Sequence, residues 1–286
     1  GEFFHRYTLG LYEVLEEIFF KRHPNILFES CSSGGNRFDL GMLYFSPQIW
    51  TSDNTDPIER LDIQGGIYNF YPQSCVSAHV SMAPHSQTLR DTPIQTRFNV
   101  AAFGVLGYEL DFSELTPDER CQVKEQIAYY KEHRRTFQYG RLRKVKLKNL
   151  DQISWQITDG EKTFAGIYQK YKSAAPGRDR LDVPCLDPDK LYTVESRDQY
   201  LRVRSFGGLI KHITPIRLKH SGFILRTVDK HYSMKDGKEL YTASGSMLAE
   251  GINLAMQYEG SGYNGDLRML SDFGSSLYLI KEKENG

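Results

Sequence analysis

The chain has 286 residues with 36 basic and 36 acidic side chains, so its formal charge is zero and its isoelectric point is about 7.2. That length suffices for one large domain or two medium ones, and 40% hydrophobic with 25% charged residues is ordinary globular composition. There is neither a basic excess that would seek nucleic acid nor an acidic solvating tail. The longest apolar run, Val100 to Tyr108, holds glycines and is too short to span a bilayer, so neither nucleic acid nor membrane is an expected partner.

Residues 5–22 place Leu9, Tyr12, Leu15, Ile18 and Phe19 at helical spacing with acids on the other face. His23-Pro24 ends that helix. Ile26 to Ser30 reads as a buried strand, Ser32 to Gly35 as a loop, Phe38 to Tyr44 as a short helix and Ile49 to Ser52 as the next buried strand. Asp56-Pro57 has the form of an N-cap with proline at the first helical position, opening a helix to about Tyr71. Val76 to Ser81 is another short strand and Met82 to Arg90 a polar loop. Thr92 to Leu106 holds a helix, and Gly107 to Asp111 a strand or strand end. Thr116-Pro-Asp-Glu119 has the form of a capping box and opens a helix to about Arg135.

Helix and strand thus alternate through residues 1–138, which implies a parallel sheet. An open doubly wound sheet and half of a (β/α)8 barrel both satisfy the pattern. The character changes near Tyr139-Gly140. Short alternating runs follow at Val145–Leu150, Ile153–Thr158, Lys162–Tyr168, Tyr192–Val194 and Gly222–Arg226. Asp159-Gly160 and Asp236-Gly237 are hairpin signals. Strands at this spacing without long helices predict an antiparallel sandwich over residues 139–286.

The four cysteines, Cys31, Cys75, Cys121 and Cys185, lie far apart without a Cys-x-x-Cys pair. That argues against a zinc site or a disulfide framework and fits reduced thiols in a cytoplasmic protein. The chain opens on Gly1 rather than Met, directly into a helical pattern and without a signal-peptide pattern, which suggests a piece of something longer. His79 and His85 form no metal-binding motif, and Ser32-Ser33-Gly34-Gly35 has no lysine in the register of a phosphate loop. The glycine pair suits tight backbone passage near a ligand.

The stretch with most chemical content is Cys31 to Asp56. Asp53 and Asp56 follow a strand, where a barrel carries its chemistry, although both could equally be caps of the next helix. The proline after Asp56 favours the cap there. Trp50 is one of only two tryptophans and suits either core packing or a sugar-stacking wall. Cys31 is a buried structural thiol or a site residue.

The run from Phe28 through Cys31-Ser-Ser-Gly-Gly-Asn-Arg-Phe-Asp39 to Tyr44, and Pro47-Gln-Ile-Trp-Thr-Ser-Asp-Asn-Thr-Asp56, resemble the family 36 glycoside hydrolases, mostly α-galactosidases. So do Ser77-Ala-His-Val-Ser81, with Pro84, Gln87 and Arg90 after it, and Gly107-Tyr-Glu-Leu110. Leu186 to Tyr192 and Ser246 to Ile252 carry a weaker match. The resemblance implies α/β plus all-β architecture: the second half of a (β/α)8 TIM barrel at 1–138, then a C-terminal antiparallel β-sandwich at 139–286. It implies Asp53 as the acid/base and Cys31, Gly34, Trp50 and Asp53 as substrate-binding residues. Asn36 departs from the pattern, standing where a third glycine is usual.

The implied activity is retaining hydrolysis of terminal α-galactosides of the melibiose and raffinose type, without cofactor or metal, by a protein that forms homo-oligomers, tetramers among them. The family's nucleophile sits in a Lys-Trp-Asp motif, which this sequence lacks. It is expected upstream, and the isolated chain is expected to be inactive. Alternatives are a non-catalytic carbohydrate-binding or scaffold relative, a galactosyl-transferring relative, or an α-N-acetylgalactosaminidase.

Overall fold

A computed structural model describes residues 1–203, 222–258 and 267–284. The chain opens with helix α1 (Glu2–Leu15), continued by a wider π-helical turn over Glu16–Arg22. Strand β1 (Glu29–Ser30), the single turn α2 (Ser32–Gly35), helix α3 (Leu40–Phe45) and strand β2 (Gln48–Trp50) follow. Helix α4 (Pro57–Ile67), strand β3 (Val76–Ser81), helix α5 (Ile94–Ala101), strand β4 (Val105–Glu109) and helix α6 (Pro117–Tyr139) complete the alternating part.

The four strands form one parallel sheet in the order β1-β2-β3-β4, with Ile49 opposite Val76 and Ser77 opposite Val105. Alternation sorts the side chains of β3 between two faces. Val76, Ala78 and Val80 are buried, and Ala78 and Val80 pack with Ile58 and Leu61 of α4 and Phe98 of α5. Ser77 and His79 point to the other face, where Ser77 Oγ donates to Glu29 of β1 and His79 lies against the Trp50 ring.

The expected caps are in place. Asp56 caps α4, accepting from the Ile58 amide at 2.9 Å, and Thr116 and Glu119 form a reciprocal capping box on α6. Met42, Leu15 and Ile49 make a small core under α1 with Tyr12 and Phe19. Leu9 and Ile18, expected on that inner face, are instead exposed, as are Phe3, Phe4, Ile26 and Leu27. The apolar surface of this end is wider than the described residues cover.

The second part contains β5 (Arg141–Val145), β6 (Gln152–Thr158), β7 (Lys162–Gln169), β8 (Arg180–Leu181), β9 (Leu191–Ser196) and β10 (Tyr200–Arg202). After these come α7 (Phe223–His231), β11 (Ser233–Lys235), β12 (Leu240–Ser244), α8 (Gly245–Glu250), β13 (Ile252–Asn253) and β14 (Ser275–Glu282). A six-stranded antiparallel sheet has the order β12-β9-β14-β7-β6-β5, flanked by the two-stranded pairs β10-β11 and β13-β8. One core crosses from the helices to this sheet: Phe103 and Phe137 pack with Trp155, Phe164 and Tyr168.

Three sequence expectations here are corrected. The first strand of this part is Arg141–Val145 rather than Val145–Leu150. Gly222–Arg226 opens helix α7 rather than a strand. Leu225, Val228 and Asp229 recur at helical spacing, and Asp229 accepts from Arg202 at 3.0 Å. Asp236-Gly237 is no hairpin, because β11 pairs with β10 and β12 with β9. The Asp159-Gly160 hairpin is present between β6 and β7.

Candidate active site

Asp53 lies three residues beyond the end of β2, at the carboxyl edge of the parallel sheet. Its side chain is exposed, and the Trp50 indole N–H donates to its Oδ1 at 3.1 Å. Oδ2 takes no hydrogen bond among the described residues. Trp50 is half-buried rather than core. Its ring stands 4.3 Å from the His79 ring, and the buried Arg60 guanidinium lies 4.2 Å from its centre. His79 Nδ1 in turn meets Glu109 Oε2 at 3.2 Å.

The turn after β1 is built to reach this loop. Ser32, Ser33, Gly34 and Gly35 all have positive φ, a left-handed turn that side chains other than glycine adopt at a cost of about 1 kcal/mol or more each. The turn sets Gly34 and Gly35 directly against the Asp53 loop. A Cβ on Gly34 would lie 2.7 Å from the Asp53 amide nitrogen, and one on Gly35 would strike the Thr51 carbonyl. Asn36, the departure from the family pattern, has φ −63°, an ordinary right-handed value. Its side-chain amide donates to the Ser33 carbonyl at 3.2 Å and braces the same turn. Cys31 begins the turn and is exposed, not a buried structural thiol. The buried thiol is Cys75, pushed up to about 11 by burial.

Asp56 faces away from this surface. It is buried, caps α4, accepts from Thr88 Oγ1 and forms an ion pair with Arg90 at 2.8 Å. That role is structural. His85 is buried too, 3.0 Å from Thr55 Oγ1. Among the described residues no group of three or more His, Cys, Asp or Glu side chains is arranged to hold a metal ion. No helix among them is long and apolar enough to cross a membrane.

The structure therefore brings Trp50, Asp53 and Gly34 together, with Cys31 at the start of the abutting turn. From the sequence, His79 is weighed only as a metal ligand, Glu109 is quoted only within a family-like stretch, and Arg60 has no part in the site. Arg60 reads there as one more charge on a helix, and only the loop folded over it makes it buried.

The melibiase family profile matches residues 1–140. The chain is 43% identical over 210 residues to alpha-galactosidase Mel36A of Lactobacillus acidophilus, covering 73% of this chain and 28% of that protein. It is 42% identical over 199 residues to alpha-galactosidase AgaA of Geobacillus stearothermophilus, covering 68% of this chain and 27% of the relative. A crystal structure of an AgaA variant in complex with raffinose superposes with a TM-score of 0.73 at 32% identity, over 98% of this chain and 32% of that one. The galactosidase domain of AgaSK superposes with a TM-score of 0.72 at 28% identity, over 98% and 32% of the two chains. The chain thus spans between a quarter and a third of the length of these relatives. On this similarity in sequence and fold, the chain belongs to the melibiase family, the family 36 glycoside hydrolases, of which it represents part of the full length.

Proposed function

We propose that this chain supplies the acid/base half of a retaining α-galactosidase site, with Asp53 as the proton donor. The observation that carries this is the Asp53 carboxyl at the sheet's carboxyl edge, held by the Trp50 N–H at Oδ1, with no hydrogen bond to Oδ2 among the described residues. The substrate proposed is a terminal α-galactoside of the melibiose and raffinose type. Crystal structures of the related AgaA variants hold raffinose and stachyose. The Cys31–Gly35 turn and Trp50 are its proposed binding wall.

In the proposed reaction a second carboxylate, roughly 5 Å from Asp53, bonds to the anomeric carbon. The electrons of the breaking glycosidic bond pass to the leaving oxygen, which takes the proton from Asp53. Because the indole donates to Oδ1 and cannot accept, that proton belongs on Oδ2. A water then gives its proton back to Asp53 and its oxygen to the anomeric carbon, freeing the second carboxylate.

That carboxylate belongs, in this proposal, to an upstream segment carrying the first half of a (β/α)8 barrel. Residues 1–138 are then the second half and residues 139–286 the C-terminal β-sandwich domain. Supporting this are the two edges of the sheet, β1 and β4, which pair with no further strand among the described residues, and the exposed Phe3, Phe4, Ile26 and Leu27. An open edge beside an apolar surface is unfavourable unless something covers it. Cytoplasmic location and homo-oligomers belong to the same proposal.

The test compares this chain with a version extended upstream. The extended protein is expected to hydrolyse a nitrophenyl α-galactoside with retention of configuration, read by proton NMR of the first-formed sugar. The 286-residue chain alone is expected to be inactive. Inversion, or robust hydrolysis by the chain alone, contradicts the proposal.

A further inference from the structure

We infer that Arg60 is a positioning residue for proton transfer at Asp53, acting through the Trp50 ring and the backbone of residues 51–54. The inference rests on the acid/base reading of Asp53. Arg60 sits in the first turn of α4 and is 2% exposed. Its guanidinium donates in three directions: Nε to the Asn54 carbonyl at 2.8 Å, one terminal nitrogen to Thr51 Oγ1 and the other to the Ser52 carbonyl. These acceptors lie on both sides of Asp53. The same guanidinium lies 4.2 Å from the centre of the Trp50 ring, whose N–H holds Asp53 Oδ1.

One planar cation therefore fixes the residues before and after the acid and the group that orients it. Rigid support of this kind is what a catalytic group needs, because misplacement by about 1 Å can cost about a hundredfold in rate. No carboxylate lies within ion-pair distance of Arg60 among the described residues. Burial lowers its pKa to about 10, and the Asp53 charge is among the groups that raise it. An unpaired buried cation is expensive, and a neutral side chain would serve a merely filling role at lower cost. Lysine cannot replace it, because a single ammonium lacks the planar fork that reaches three divergent acceptors and stacks on a ring.

The experiment uses the full-length enzyme carrying this chain, with Arg60→Met and Arg60→Lys, alone and combined with Asp53→Asn. Each is assayed on melibiose, whose sugar leaving group needs protonation, and on a dinitrophenyl α-galactoside, whose leaving group does not. Melting curves confirm folding, and Arg60→Lys carries the test if Arg60→Met does not fold. The expected result is a ~10- to 100-fold fall in kcat on melibiose for either variant. KM on melibiose should stay within about threefold, kcat/KM on the dinitrophenyl substrate, which reports only the bond-breaking step, should be nearly unchanged, and no further selective loss in kcat/KM should appear on the Asp53→Asn background. Equal losses in kcat/KM on both substrates, or a selective loss that multiplies with that of Asp53→Asn, would overturn the inference. If Asp53→Asn alone shows no dependence on the leaving group, the acid/base reading fails first and the inference falls with it.

Discussion

Gly34→Ala tests the contact between the Cys31 turn and the Asp53 loop. Gly34 has φ +74°, and an added Cβ would stand 2.7 Å from the Asp53 amide nitrogen and 3.2 Å from Ser52 Cα. Left-handed backbone costs alanine about 1–2 kcal/mol relative to glycine. Both clashing atoms belong to backbone, so no side chain can swing aside. Turn and loop must separate by roughly 0.7 Å to reach ordinary contact. The combined cost is about 2 kcal/mol, a fall of roughly 4–8 °C in melting temperature for a domain of this size. A displacement of that size at the acid should lower kcat/KM on melibiose by ~10- to 100-fold. Gly66→Ala is the control: a Cβ there meets nothing within 4 Å, and helix propensity should raise stability by about 0.5–1 kcal/mol. Differential scanning fluorimetry and initial rates in the upstream-extended protein measure both. A Gly34→Ala protein with unchanged kcat/KM, or with a loss no greater than its unfolded fraction, would refute the claim that this turn sets the position of Asp53.

Two further outcomes concern stability. Asp56→Ala removes a buried cap and one of the two ion-pair partners of Arg90 among the described residues, the other being Glu59 at 2.9 Å. The loss should be about 3 kcal/mol by urea unfolding, a cap of about 1 plus a partly buried ion pair. A loss below about 0.5 kcal/mol would contradict the structural assignment of Asp56. Asp236 is half-buried, and desolvation pushes its carboxyl up to about 6. The unfolded chain releases this proton near pH 4, so the folded state binds more protons between those values. Stability should fall by about 2–3 kcal/mol as pH rises from 4 to 6 and then level off. Asp236→Asn, whose oxygen can still accept from the Met269 and Gly237 amides, should remove that fall. An unchanged pH profile in thermal melts would show that another group is responsible.

Local chemistry was legible in the sequence wherever a short motif decides the structure. Asp56-Pro57 and Thr116 to Glu119 are helix starts because caps need only their neighbours. Strand Val76–Ser81 was readable as a short run set off by Pro72 before it and Pro84 after it. What packing decides was not legible. Strand Ser275–Glu282 lies between β7 and β9 with its first four residues buried on both faces, so it lacks the two-residue alternation that marks a strand. Helix Phe223–His231 keeps Phe223 and Ile224 at the surface, and those apolar residues imitate a strand. In the site, Asp53, Trp50 and Gly34 could be picked out because the family resemblance names that stretch. Arg60 could not, because its partners are two carbonyls and a hydroxyl of a loop whose path no local rule specifies.

The central claim is that Asp53 gives the proton that lets the sugar leave. Its most direct measurement is Asp53→Asn in the upstream-extended protein, with kcat/KM determined across α-galactosides of graded leaving-group acidity. The account predicts a loss on the order of a hundredfold or more on melibiose and raffinose, shrinking steadily toward the most acidic phenols. A loss of the same size on every substrate, or none on melibiose, would contradict it.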